Sequence, residues 1–199
     1  MADSIIRDGT GDNYQAKVNE KHQLNTFSVT EDELTFHSFL AETYNFNTGN
    51  LTLTSGGASG VWYFMNNEEY PVMITSLFYN LGLNTGGSGN TLIQVIRNPT
   101  GGTVISDASS SAPVNRNFSS AKTLNAYSYL GAEGKTLTGG TNIIQSLLPI
   151  AAGRHVLSPV ALILERGNSV GVKITPPTST TSMTVQVAAS IHRVIIGAT

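Results

Sequence analysis

Residues 71–83 read PVMITSLFYNLGL, a run in which the side chains alternate with a period of two. The alternation sets Val72, Ile74 and Ser76 against Met73, Thr75 and Leu77, so each group occupies its own face of an extended strand. A helix would instead repeat its apolar residues every three or four positions. The stretch therefore predicts a β-strand that packs on a core.

Strand patterns recur at short intervals through the rest of the chain from residue 43 onward. VWYFM (61–65) is an apolar run too short for a helix, and MTVQVAASIHRVII (183–196) is long enough for a central strand. The crossover helices that a parallel sheet requires are missing. About eight strands at this spacing predict an all-β body over residues 43–199, an antiparallel β-sandwich or jelly roll. The other predicted strands are LTLT (51–54), TLIQVIRN (91–98), NIIQSLLPI (142–150), HVLSPVALILE (155–165) and SVGVKIT (169–175).

Two segments of the body are predicted to be loops. NTGGSGN (84–90) contains too much glycine for the interior of a strand. Residues 98–142 are poor in apolar groups and rich in Gly, Ser and Asn, which predicts long surface loops with one or two short strands such as TVIS (103–106).

Charge separates the first 42 residues from this body. Residues 1–42 hold eight acidic and three basic residues, net −5, whereas the other 157 hold five acidic and eight basic, net +3. The first segment also has too few apolar positions to bury a core alone, so it is predicted to be an arm.

The small overall charge of −2 provides no basic surface for binding nucleic acid. The chain has no cysteine and no apolar run of membrane-spanning length, and MADSIIRDG lacks the basic and apolar stretches of a signal peptide, so we expect synthesis in a soluble compartment and no membrane partner.

Within the arm, YQAKV and HQLNTFSV are short strand candidates, and residues 30–41 are predicted to form a helix. Thr30 and Glu33 have the spacing of a capping box, and Phe36, Phe39 and Leu40 share one helical face. This segment is predicted to dock the protein on a neighbouring subunit. The docking residues are expected to be the apolar ones: Ile5, Ile6, Tyr14, Val18, Leu24, Phe27, Phe36, Phe39 and Leu40.

The loop from Asp8 to Asn13 has carboxylates and glycines that could wrap a cation or cradle a phosphate. An EF-hand needs glycine at its sixth position and glutamate at its twelfth, where this chain has Asn13 and Asn19. A P-loop would need Gly-Lys-Ser or Gly-Lys-Thr, and a dinucleotide fingerprint would need a following helix. The loop is therefore interpreted as a turn.

Other candidates for chemistry have simpler structural explanations. The four histidines, His22, His37, His155 and His192, form no ligand-spaced pair. Glu68 and Glu69 are neighbours that would point to opposite faces of a strand, so they are expected in a turn and not as a glycosidase pair. The aromatic residues of VWYFM are expected in the core. We predict no catalytic residue, no metal and no cofactor, although a triad assembled in space from distant residues stays open.

Three stretches resemble a family of virion structural proteins of tailed bacteriophages: IIRDGTGDNYQAKVNEKHQL, YNFNTGNLTLTSG and VWYFMNNEEYPVMITSLFYNLGLNTGGSGN. The resemblance covers most of the chain and rests on structural turns. It implies a non-enzymatic particle component that assembles with other copies and with other virion proteins such as the major capsid protein. A capsid decoration protein is the favoured role. A head–tail or tail accessory protein, or a receptor- or carbohydrate-binding module using loops 84–90 and 98–142 with Tyr127 or Tyr129, are the alternatives.

Overall fold

The computed structural model describes residues 38, 40–54, 56–107, 109–149, 153–157 and 161–194, without the side chains of Arg154, Val156 and Leu157. The chain divides into two units, Met1–Asp32 and Glu33–Thr199, and every described residue belongs to the second. The predicted arm strands, the Asp8–Asn13 loop, His22 and His37 therefore lie outside the described residues. So does most of the predicted 30–41 helix, of which only Ser38, Leu40 and Ala41 are described.

The described residues form two antiparallel sheets, which confirms the all-β sandwich predicted from the strand patterns. In sheet 1 the strand order is β10 (Gly153–Leu157), β4 (Val72–Leu81), β13 (Met183–Arg193), β1 (Thr43–Asn47) and β7 (Val114–Asn115). Two short strands extend this sheet: β11 (Leu162–Leu164) pairs with β4, and β2 (Leu51–Leu53) pairs with β13. In sheet 2 the order is β6 (Ser109–Ser110), β8 (Ala126–Leu130), β3 (Ser59–Asn66), β12 (Ser169–Thr175), β5 (Thr91–Arg97) and β9 (Thr141–Leu148).

The connectivity is that of a jelly roll, in which a long antiparallel hairpin is rolled into two sheets. Strands from the beginning of the body pair with strands from its end: β1 with β13, β3 with β12, β4 with β10 and β11, and β5 with β9. Successive strands alternate between the sheets along most of this path. The residues between β5 and β9, at the tip of the hairpin, add β7 to one edge of sheet 1 and β6 and β8 to the matching edge of sheet 2.

The core lies between the two sheets and combines many aliphatic side chains with a few aromatic ones. Trp62 and Phe64 of β3 are fully buried, as the VWYFM run predicted. Phe46 of β1 stacks on Trp62 with ring centroids 4.7 Å apart, which joins the two sheets. The Trp62 indole N–H donates to the Ser128 hydroxyl at 3.3 Å, so the one polar atom of this ring is satisfied.

The alternation predicted for residues 71–83 is wrong after Ile74. Ser76 pairs with Ser190 of β13 while Ile74 pairs with Ile191, which leaves Thr75 as an extra residue in a bulge. The bulge moves Leu77 onto the buried face with Val72 and Ile74, instead of the face of Met73. It also keeps both ends of this ten-residue strand packed on the core.

Two other local expectations are also corrected. TVIS is a single turn of helix, α1 (Thr103–Ser106), and not a strand, because the preceding Gly102 has φ 115° and α1 buries Val104. Val104 packs with Leu137, Tyr63 and Ile96 in a second cluster on the outer face of sheet 2.

The run at 155–165, predicted as one strand, forms parts of two strands, β10 and β11, both paired with β4. The loop at 84–90 contains no strand, as expected.

Candidate assembly surface

The predicted docking residues fall almost entirely outside the described part of the chain. This holds for Ile5, Ile6, Tyr14, Val18, Leu24, Phe27, Phe36 and Phe39. Leu40 is described and is 41% exposed, in a turn where Ala41 has φ 58° and its N–H donates to the Ser38 carbonyl at 3.1 Å. The turn delivers the chain from residue 38 into β1.

A buried carboxylate holds the chain at this point of entry. Glu42 is 4% exposed and accepts hydrogen bonds from the Lys122 ammonium at 2.6 Å and from Arg193 Nη1 at 2.5 Å. Arg193 Nη2 donates a hydrogen bond to Glu68 Oε1 at 2.6 Å. Burial opposes the charge on Arg193, but Glu68, Tyr44 and Glu42 outweigh it and raise the pKa of the guanidinium. We call Glu42, Lys122, Arg193 and Glu68 the arm clamp.

Backbone and amide groups reinforce the arm clamp from the β7 side. Asn115 donates from its side-chain amide to the Ala41 carbonyl at 2.9 Å, and the Arg116 N–H donates to the Thr43 carbonyl at 2.9 Å. Lys122 Nζ also donates to the Leu40 carbonyl at 3.1 Å. Residues 40–43 are therefore held on the sandwich by their backbone carbonyls and by the side chain of Glu42.

A cavity of about 420 Å³ opens at the edge where β9 of sheet 2 lies beside β11 of sheet 1. Leu164 of β11 and Arg193 of β13 both pair with Val72. The cavity wall and the arm clamp are thus two strand spacings apart, roughly 10 Å. The lining is mixed, with apolar side chains and a few polar groups: Arg97, Asn98, Ile143, Ala161, Leu162, Ile163, Leu164, Asn168, Ser169 and Val170.

Large apolar side chains are exposed at this cavity and further along β9. Ile163 of β11 is 61% exposed, and on the edge strand β9 Ile143 is 42% and Leu147 is 61% exposed. β9 is eight residues long and carries no charged side chain. An uncharged edge strand of this length that exposes two large apolar side chains is a surface on which another chain can pair. We call β9, β11 and the cavity between them the acceptor edge.

The polar and aromatic surfaces that could bind a carbohydrate lie elsewhere. Tyr127 is 46% exposed, and its ring lies 6.2 Å from that of Tyr129, which stacks on Tyr63 at 5.8 Å. A second cavity of about 320 Å³ lies on the outer face of sheet 1. Its polar lining consists of amide and hydroxyl side chains: Asn45, Asn47, Asn80, Gln186 and Ser190.

Two of the histidines and the neighbours Glu68 and Glu69 lie among the described residues. His192 is buried on β13, and Glu68 follows β3 in a turn, as expected, where it joins the arm clamp. Within the described ranges no group of three or more His, Asp or Glu side chains is arranged to hold a metal ion. None of the helices described there is long and apolar enough to cross a membrane.

Sequence reasoning did not identify the arm clamp or the acceptor edge. Glu42 and Arg193 are 151 positions apart and meet only through the pairing of β1 with β13. The apolar residues of β9 have the pattern of a buried strand, and their exposure depends on β9 being last in its sheet. A scan against protein-family models finds no match for this chain, and a search of curated proteins finds none either.

Proposed function

We propose that this chain is a non-enzymatic structural protein of a tailed-bacteriophage particle, with a capsid decoration protein as the favoured role. The N-terminal arm docks on a neighbouring subunit, either another copy or another virion protein such as the major capsid protein. A head–tail or tail accessory position would use the same docking device.

The observation that carries this proposal is the arm clamp. A flexible tether would let the sandwich swing freely after its arm had bound a neighbour. Here the buried Glu42, held by Lys122 and Arg193, fixes the direction of the chain within a few residues of the predicted docking segment. Docking of the arm would therefore orient the whole body, and repetition over many symmetric copies would turn weak contacts into firm attachment.

Two further features support a structural role. The jelly roll is a fold that viral capsid proteins use, as do lectins and cupins, so this support is an analogy of fold. The low content of charged residues, 12%, suits a protein surrounded by many neighbours. The acceptor edge provides exposed apolar side chains, with Arg97 as the one charged residue of the cavity lining, as a surface for such a neighbour.

The experiment that tests the function is quantitative mass spectrometry of purified particles of the phage or prophage that encodes the chain. We expect this protein to be present at tens of copies or more per particle, in a fixed ratio to the major capsid protein. Its absence from purified particles, while it is present in the infected lysate, would refute the proposal.

A carbohydrate-binding module of the virion is the second candidate, favoured by the amide-lined cavity on sheet 1. Neutral amides match the donors and acceptors of sugar hydroxyls, and Asn80 and Gln186 already hydrogen-bond to each other across β4 and β13. A glycan array with the full chain tests this candidate. Binding that is lost in Asn80→Ala and kept in Asn67→Ala would favour it over the decoration role.

A further inference from the structure

One exposed aromatic residue lies at the edge of the sandwich opposite the cavity. Phe118 follows β7 and its side chain is fully exposed, and Val114 of β7 is 69% exposed beside it. In sheet 1, β7 is the outermost strand on one side and β11 lies on the other, with β1, β13 and β4 between them. We call β7 and the turn that follows it, residues 114–122, the donor edge.

The turn that carries Phe118 is rigid because successive side chains bond to its backbone. The Asn117 N–H donates to the Asn115 side chain at 2.8 Å, and the Ser119 N–H donates to the Asn117 side chain at 3.1 Å. The Lys122 N–H donates to the Ser120 hydroxyl at 3.1 Å, which closes the turn. A phenyl ring held in water on a fixed backbone loses little conformational entropy when it enters a pocket.

The cavity of the acceptor edge fits such a ring. A cavity of roughly 150 Å³ accommodates benzene in a protein interior, so about 420 Å³ is enough for a phenyl group and the turn behind it. Ile143, Leu162 and Ile163 supply apolar contacts on its walls. Cavity and ring lie on opposite edges of one molecule, so a ring from another copy can reach the cavity when the copies stand side by side.

We propose that Phe118 of one copy inserts into the cavity of the next, so that the donor edge packs on the acceptor edge. This rests on the proposed structural role and names the surface through which copies contact each other. Because the two edges differ, the contact is heterologous, and every copy offers one donor and one acceptor. Such a contact generates a closed ring when the rotation between copies closes, and an open row otherwise.

The area available agrees with a weak, repeated contact. Five of the exposed large apolar residues belong to the two edges: Val114, Phe118, Ile143, Leu147 and Ile163. Covering them removes roughly 500 Å² of apolar surface, and with a polar rim the whole contact approaches about 1,000 Å², where specific interfaces begin. A single pair would dissociate readily, whereas a ring closes several such contacts at once.

The test uses the full chain, whose lack of cysteine makes single thiols selective. Ser119→Cys places a thiol beside Phe118, and Ala161→Cys places one in the cavity wall, both with little change in size. The two variants are mixed at high micromolar concentration and treated with a short bismaleimide. We expect a covalent dimer that contains one of each variant, and at least a tenfold lower yield when Phe118→Ala is added to the Ser119→Cys chain.

Matched controls give the assay its specificity. Leu83 is 73% exposed on another surface, so Leu83→Ala in place of Phe118→Ala should leave the yield unchanged. Ser88→Cys in the 84–90 loop should not couple to Ala161→Cys. Equal coupling from Ser88→Cys, stronger coupling of Ser119→Cys to itself, or a strictly monomeric chain at these concentrations would overturn the proposal.

The assay also separates this contact from docking by the arm. If removal of residues 1–37 abolishes the cross-link and Phe118→Ala does not, the arm is the occupant of the cavity and the proposal is overturned. Failure of the cross-link would leave the particle measurement unaffected, so the two proposals fail independently.

Discussion

At the entry of the chain into the sandwich, the buried carboxylate of Glu42 meets two cations. Lys122 and Arg193 come from distant parts of the sequence, and each is fixed by other contacts. A buried ion pair contributes little net stability compared with apolar packing, but removal of one partner leaves uncompensated charge. The arm clamp is therefore better explained by its effect on the path of residues 40–43 than as a source of stability.

Glu42→Gln should lower the free energy of unfolding by about 2–3 kcal/mol, because two cations would lose their shared carboxylate. Urea unfolding followed by tryptophan fluorescence measures the change through the buried Trp62. Glu69→Gln, at an exposed position in the same turn as Glu68, is the matched control and should change stability by about 0.5 kcal/mol or less. Equal effects of the two substitutions would contradict the clamp.

Tyr79 couples stability to alkaline pH. Its side chain is 1% exposed, and burial raises the pKa of the phenol well above its usual range. Because the folded protein holds the proton more tightly than the unfolded chain, this stabilisation is complete below the unfolded pKa, about 10, and is lost as pH rises beyond it.

Between pH 9 and pH 11, the free energy of unfolding should therefore fall less in Tyr79→Phe than in the parent chain. At neutral pH the substitution should be neutral or slightly stabilising, because the Tyr79 hydroxyl is buried with no hydrogen-bond partner among the described residues. Urea unfolding at a series of pH values measures both effects. Tyr70→Phe, at a site 54% exposed, is the control and should leave the slope as in the parent chain.

Among the elements, the positions of the main strands were predictable from the sequence, but the face of the sheet on which each side chain lies was not. Alternation and apolar runs located the main strands because burial of one face leaves a local pattern. The bulge at Thr75 leaves no such pattern, since it arises from the register that β4 adopts on β13. TVIS was predicted to be a short strand, whereas Gly102 and the burial of Val104 favour the helix of α1.

The close contact of β8 with β3 provides a test at the scale of elements. A Cβ atom on Gly131 would lie 1.8 Å from the Gly60 carbonyl oxygen, a backbone atom that cannot move aside alone. Gly131→Ala should therefore separate the end of β8 from β3 and lower the unfolding free energy by about 3 kcal/mol. Thermal unfolding compares it with Gly153→Ala, whose nearest contact would be an ordinary 3.7 Å from His155 and which should be close to neutral.

For the whole molecule, the jelly roll explains why the sequence did not predict the candidate assembly surfaces. Its pairs join the beginning of the body to its end, so the arm clamp, the cavity and the two edges all depend on long-range register. The fold class followed from the number and spacing of strands. The exposure of Ile143 and Ile163 followed only from strand order, because an apolar residue on a last strand has the same local sequence pattern as one in the core.

In the proposed function, the arm attaches the protein to a virus particle while the arm clamp orients its body. Co-sedimentation tests this claim with particles grown from a genome that lacks the gene, mixed with either the full chain or a chain that begins at residue 38. Both chains should unfold at similar temperatures, because the arm clamp is kept. We expect saturable binding of the full chain, at a copy number that is a multiple of the shell symmetry, and loss of binding without the arm. Equal binding of both chains, or binding of neither, would contradict it.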